Sequence, residues 1–276
     1  MKTPKYPILD DHIHIDPRNG KGIEAVKEFK RSGGTHICLV TKPSWSLGIH
    51  PVSGKDFRGV FDETLRIAKE ITIQTGVVVF PILGVHPAEI TVLSERMIPS
   101  EAAGIMKEGL SIAAEYVAEG KAIGLKSGRP HYETTQELAD LSNEVLMHGF
   151  SLAGEIDCAL QVHAESGPCE DMVDMAKVQG MNPARVVKHF GAPETPLIPS
   201  LVAKHEAIPD LCRVKREFTM ESDYMDENSR PGAVIGPKSV PRFTLRLLEQ
   251  GHITEEDLFR IHVHTPRKVY GIGTEL

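Results

Sequence analysis

Eight short runs rich in β-branched residues recur along this chain, and most are followed by a segment with helical periodicity. The runs are YPILDDHIHI, THICLVT, VVVFPILGVH, KAIGLK, CALQVHAE, RVVKHF, LIPSLVA and REFTMES. Near-continuous apolar runs are the mark of strands buried on both faces, hence of a parallel sheet. Eight such units in 276 residues predict an α/β fold, a closed (β/α)8 TIM barrel, with residues 1–276 as a single domain. One unit is irregular. Only GAPETP, with Pro193 and Pro196, separates RVVKHF from LIPSLVA, so a reduced or missing helix is expected between strands six and seven. The final helix should open at Thr254, where T-x-x-D forms a capping box. A doubly wound open sheet is the rival fold, but no GxGxxG follows the first strand.

The net charge of −7 argues against tight non-specific binding of duplex DNA, which needs clustered Lys and Arg. It does not exclude a nucleic-acid end held at a metal. Cys38, Cys158, Cys169 and Cys212 are scattered without a CxxC, which points to the reducing cytoplasm. The opening MKTPKYPILDDH has no signal-peptide core. The longest apolar run, GVVVFPILGV, is too short to span a bilayer, so no membrane partner is expected.

Polar residues gather at strand ends, where a barrel enzyme carries its chemistry. His12 and His14 end the first strand, His86 the third, Lys126 the fourth, His163 the fifth, His189 the sixth and Asp223 the eighth. Side chains alternate along a strand, so His12 and His14 share a side and can grip one metal ion. A hydrogen-bonded histidine pair is the alternative at that strand alone. One HxH with single His, His and Asp at other ends converges on one mouth, and imidazole with carboxylate suits zinc, with manganese or nickel possible. The other histidines carry less. His36 stands at the wrong end of its strand; His148, His205 and His252 lie on or near helices; His262 and His264 read as structural. His50 and His131 lie in loops that could fold over the mouth.

These motifs resemble the TatD family of metal-dependent hydrolases, within the amidohydrolase superfamily. LDDHIHID is similar to its opening HxH strand, ILGVHP to its G-x-H-P, LQVHAES and VVKHF to its single-histidine strands. FTMESDYMD resembles its last strand, and TPRKVYGI its terminal helix with Thr265 in place of Asn. DENSRPGAVIGPKSVPR is closer to archaeal branches. The resemblance implies a binuclear centre of two divalent metal ions, zinc first, with manganese, nickel or magnesium as alternatives. His12, His14 and Asp223 would hold one ion, and His163 and His189 the other. Asp223 would be the catalytic residue, orienting a metal-activated water and taking its proton. His86, Arg129 and His131 would contact substrate, Arg129 through its planar fork; a loop-bracing salt bridge is its alternative role.

The family pattern places a bridging Glu at the end of strand four, and Lys126 stands there instead. A free ammonium cannot ligate. A Lys126 carboxylated by CO₂ would supply the missing anionic oxygens; the alternative is an unmodified Lys126 paired with Asp223 or Glu221. The expected function is metal-dependent hydrolysis, of phosphoesters first, in the manner of a deoxyribonuclease or phosphoesterase. An amidohydrolase or lactonase acting on a small molecule is the second reading, and a non-catalytic metal-binding protein the third.

Overall fold

The computed structural model describes residues 5–230 and 234–276. Residues 231–233, inside the stretch with archaeal character, lie outside the described residues. The strands are β1 (Leu9–His14), β2 (His36–Val40), β3 (Val78–Gly84), β4 (Gly124–Gly128), β5 (Ala159–His163), β6 (Val186–Lys188), β7 (Ile198–Val202), β8 (Thr219–Glu221) and β9 (Tyr224–Met225). All pair in parallel, in the spatial order β8-β7-β6-β5-β4-β3-β2-β1-β9. β8 and β9 are two halves of one segment: β8 pairs with β7, and β9 pairs with β1. The sheet therefore curls back on itself as a TIM-type barrel. At the break, Asp223 takes a left-handed φ of 44° and its N–H donates to His12 O at 3.0 Å.

The helices are α1 (Ile23–Arg31), α2 (Phe57–Thr75), α3 (Glu89–Ser94), α4 (Pro99–Ala118), α5 (Gln136–Glu155), α6 (Asp171–Val178), α7 (Ile208–Arg213), α8 (Ser239–Glu249), α9 (Glu255–Phe259) and α10 (Thr265–Tyr270). No helix separates β6 from β7; turns do, as the two prolines predict. Thr254 caps α9 with the expected box, its hydroxyl accepting from Asp257 N–H while Asp257 accepts from Thr254 N–H. Helices α3 and α7 were not anticipated from the sequence. Each is only six residues long, too short for the apolar period to announce it.

β1 carries a bulge. Between Asp10 and Ile13 it advances three residues while β2 advances two. The extra residue lets Ile13 pack outward on Ala25, Val26 and Phe29 of α1. Asp11 and His12 both remain free to meet partners across the barrel. The interior at the strand starts is closed by Leu9, Ala159 and Ile198 packed against Val269, Tyr270 and Ile272 from the C-terminal segment. A plug at that end leaves the opposite mouth open for chemistry.

Buried carboxylates sew the seam. Asp10 accepts from Ser222 N–H at 2.9 Å, and Asp11 from Thr219 Oγ1 at 2.8 Å and Tyr270 OH at 3.1 Å. Asp226 accepts from the N–H groups of Asp16, Lys21 and Gly22 at 2.7–2.9 Å and from Tyr224 OH at 2.9 Å. It fixes the loop that leaves β1. His262, buried, bridges Leu9 O at 3.1 Å and Thr244 Oγ1 at 3.1 Å, which is the structural role expected for it.

Gly84 ends β3 against β4, and a Cβ there would run into the backbone carbonyl of Lys126. Gly104 lies within α4, exposed, and a methyl group placed there would have no neighbour within 4 Å. Gly84→Ala should therefore cost about 1–3 kcal/mol in denaturant melts, whereas Gly104→Ala should gain about 0.5–1 kcal/mol. Equal effects of the two substitutions would contradict the strand-end packing described.

Candidate metal centre

His12 and His14 end with their Nε2 atoms 3.2 Å apart, both side chains buried. Each Nδ1 faces an oxygen that can only accept: Gln161 Oε1 at 2.7 Å for His12, and Val40 O at 2.9 Å for His14. Both Nδ1 atoms therefore carry the proton, and both Nε2 atoms present lone pairs. The orientation of Gln161 is itself fixed, because its Nε2 donates to Asp11 O and to Tyr270 OH, both at 2.8 Å. Burial drives both histidines well below the ordinary imidazole range, so they stay neutral; the Lys126 charge adds to this. Two neutral lone pairs converging in a buried site repel unless a cation sits between them. The donor set fits a metal ion.

Asp223 Oδ1 lies 4.0 Å from His12 Nε2 and 3.8 Å from His189 Nε2. The His189 ring stacks on His12 with centroids 3.7 Å apart. Its Nδ1 stands 2.8 Å from Glu221 Oε1. Two ligand sets result, each with its atoms within 4.8 Å of one another: His12, His14 and Asp223; and His12, His189 and Glu221. Burial raises Asp223 to about 6, with Lys126 opposing, and raises Glu221 well above the usual carboxylate range, with the Asp223 charge adding to it.

Lys126 is buried with Nζ 3.1 Å from His12 Nε2. Burial pushes it down to about 8, against the pull of Asp223 and Glu221. His163 lies beyond His189, ring centroids 5.5 Å apart, and its Nε2 meets His131 Nδ1 at 2.8 Å. His86 sits 4.9 Å from His163 by centroids. Ala88 N–H donates to His86 Nδ1 at 3.2 Å, so the neutral ring carries its proton on Nε2. Burial, with Lys126, lowers His86 to about 3.

A cavity of about 950 Å³ opens over this cluster, lined by His14, His86, Lys126, His131, His163, His189 and Asp223 among others. Trp45 lines it too, edge-on to His86 with centroids 6.2 Å apart. The Trp45 loop is held by buried Glu89, which accepts from Ser44 N–H at 2.6 Å and Ser44 Oγ at 2.9 Å.

The structure brings His12, His14, His86, Lys126, His131, His163, His189 and Asp223 to one mouth. Arg129 is placed differently. Its guanidinium pairs with Glu165, reaches Asp171 at 2.6 Å and Asn143 at 3.3 Å, and does not line the cavity. That is a loop brace rather than a hand extended to substrate. His50 is exposed and also stands outside the lining. Two residues at the centre were not foreseen as its parts, Gln161 and Tyr270, and Glu221 was foreseen only as a pairing partner for Lys126. Gln161 precedes His163 by two positions, so strand alternation alone could have put it beside the ligands.

The TatD related DNase family profile matches residues 9–271. The uncharacterized protein MJ1127 of Methanocaldococcus jannaschii is 35% identical over 282 residues, covering 98% of each chain. Among solved structures, the phosphotriesterase homology protein from Escherichia coli, complexed with phosphate in its active site, aligns with a TM-score of 0.63 at 9% identity, covering 96% of this chain and 99% of that one. The lactonase Lmo2620 from Listeria monocytogenes aligns at 0.60 and 14%, covering 97% and 95%. An organophosphorus hydrolase from Deinococcus radiodurans aligns at 0.59 and 13%, covering 97% and 93%. At these identities the structures share the barrel fold with this chain.

Two expectations follow from the supports of the site. Gln161→Leu removes the acceptor that sets the His12 tautomer, so zinc affinity should fall roughly 10–100-fold in a chelator competition; unchanged affinity would show that Gln161 does not orient the ligand. Burial raises Glu89 to about 7 from 4.5. A raised carboxyl favours the fold most below the unfolded value and loses that contribution as pH rises through about 7. Melts of wild type and Glu89→Gln should therefore show the wild type losing about 1–3 kcal/mol relative to the variant between pH 5 and 8. A constant difference across that window would contradict the burial argument.

Proposed function

The chain belongs to the TatD related DNase family, and on that premise we propose that it is a metal-dependent hydrolase acting on phosphoester bonds. The observation that carries the reading is the convergence of His12 Nε2, His14 Nε2 and Asp223 beneath an open cavity. Divalent ions, zinc first, would be held by His12, His14 and Asp223, and by His189 with His163 or Glu221. Bound there, such an ion would polarise the scissile bond and bring the pKa of water towards neutrality. The chain's own residues supply the rest. Asp223, raised to about 6 by burial, is ionised near neutral pH and positioned to hold the attacking water and take its proton. The Nε2–H of neutral His86 offers a hydrogen bond to a substrate oxygen. His131, bonded to His163, offers another group at the mouth.

Lys126 stands where an anionic bridging ligand is wanted. Its amine, partly neutral because burial lowers it to about 8, would attack CO₂, forming one N–C bond as one C=O π bond opens onto oxygen, and releasing one proton from nitrogen. The product is a carbamate whose single negative charge is shared by two oxygens. Protein equilibrated with zinc and isotopically labelled bicarbonate should show a carbamate carbon resonance that Lys126→Arg lacks.

A small-molecule lactone or amide is the second reading. Lys126 favours it, and so does the naming of one structural relative as a lactonase. The acidic net charge of −7 supports a small molecule or a nucleic-acid end over long duplex. No helix among the described residues is long and apolar enough to cross a membrane.

A panel of phosphoesters, lactones and short DNA, run with zinc or manganese, tests the reading. Asp223→Asn should lower kcat roughly 10²–10⁴-fold on whichever substrate is turned over, with the melting curve retained. Wild-type kcat in that variant, or turnover of lactones alone, would contradict the assignment.

A further inference from the structure

Phe190, directly after His189, is 46% exposed, in a chain whose other phenylalanines are mostly buried. Its φ is 50°, a left-handed conformation that a bulky residue rarely adopts. The conformation is pinned from both sides. Phe190 N–H donates to Glu221 Oε1 at 3.0 Å, and Gly191 N–H donates to Ser200 O at 2.8 Å. Gly191 cannot carry a side chain, since a Cβ would stand 2.7 Å from Lys188 O and 2.9 Å from Pro199 Cβ. The same Glu221 oxygen lies 2.8 Å from His189 Nδ1. One carboxylate thus accepts from the backbone of the aromatic residue and lies against the metal-facing imidazole that precedes it.

The ring borders two spaces. Phe190 and Ser166 line the cavity over the metal centre, and both also line a second cavity of about 510 Å³. Gly191, Ala192 and Val202 give this second space a small, largely apolar wall, and Lys204 stands at its edge. A strained backbone that keeps an aromatic ring uncovered is maintained against both sterics and the hydrophobic effect. Covering that ring with an apolar group recovers the hydrophobic part of the cost, and Phe190 lines both the cavity over the reacting centre and the second space.

Resting on the hydrolytic reading, we infer that the second cavity is a substrate subsite, that Phe190 is its platform, and that the substrate carries an apolar aryl or alkyl substituent next to the bond that is cut. This favours a small amphiphilic ester over a nucleic-acid strand. A strand would need a track of cations, and the lining of the second cavity includes a single lysine, Lys204, with His205 and the acidic Glu206.

Binding is the test. Zinc-loaded protein is titrated calorimetrically with two matched pairs: methylphosphonate against benzylphosphonate, and acetate against phenylacetate. In at least one pair the aryl member should bind about tenfold more tightly. Phe190→Gly accepts the backbone conformation without strain and should cut that ratio below about twofold. Ala192→Trp, which intrudes on the second cavity beside Phe190 and leaves Phe190 in place, should do the same. Ratios near one in wild type for both pairs, or no binding of either aryl probe, would overturn the inference. So would a ratio that survives both substitutions. Failure of the hydrolytic reading is distinguishable, because it appears in turnover and in Asp223→Asn, which these titrations do not use.

Discussion

The seam between the first strand and the last segment of sheet governs the molecule. β1 carries Asp10, Asp11, His12 and His14, with Asp16 just beyond it, all buried, a burden no single strand can satisfy. The partners come from more than 200 residues away: Ser222 and Thr219 for Asp10 and Asp11, and Asp226 for the loop that Asp16 begins. Unpaired, each of these buried groups would cost about 1–3 kcal/mol or more. Closure of the barrel is thus enforced by polar groups as well as by apolar packing. The same closure brings Asp223 N–H onto His12 O, so the event that completes the fold also assembles the ligands.

The centre is supported by a chain of hydrogen bonds running down the barrel interior. His12 leans on Gln161, Gln161 on Tyr270 OH, and Tyr270 on Asp11. Tyr270 belongs to the segment that plugs the strand starts, with Val269 and Ile272. The plug at one end of the barrel therefore helps to hold a ligand at the other. On the open side Glu221 holds the Phe190 N–H and lies 2.8 Å from His189 Nδ1, so the metal centre abuts the wall of the cavity. Stability and site geometry share the same side chains.

Much of this was legible in the chain. Apolar runs and their spacing gave the barrel, and GAPETP gave the missing helix, because a pair of prolines denies the turn its donors. The ligands at strand ends were legible because alternation fixes which side a residue faces. What stayed hidden has physical reasons. The bulge in β1 breaks the alternation at Asp11 and His12 and is set by packing on α1, which no local pattern encodes. Glu221 read only as a pairing partner for Lys126; its contacts with His189 and Phe190 depend on the β8–β9 break. Arg129 suited a phosphate by chemistry alone, but Glu165 and Asp171 reach it first, from loop positions that periodicity does not locate.

The central claim is that His12 and His14 exist to hold a metal ion with Asp223, and anomalous scattering tests it most directly. In crystals grown with zinc, data collected on either side of the zinc absorption edge should give a peak roughly 2.0–2.2 Å from His12 Nε2, His14 Nε2 and an Asp223 oxygen. A fully zinc-equilibrated crystal with no anomalous peak at that point, the two imidazoles still facing each other, would contradict the account.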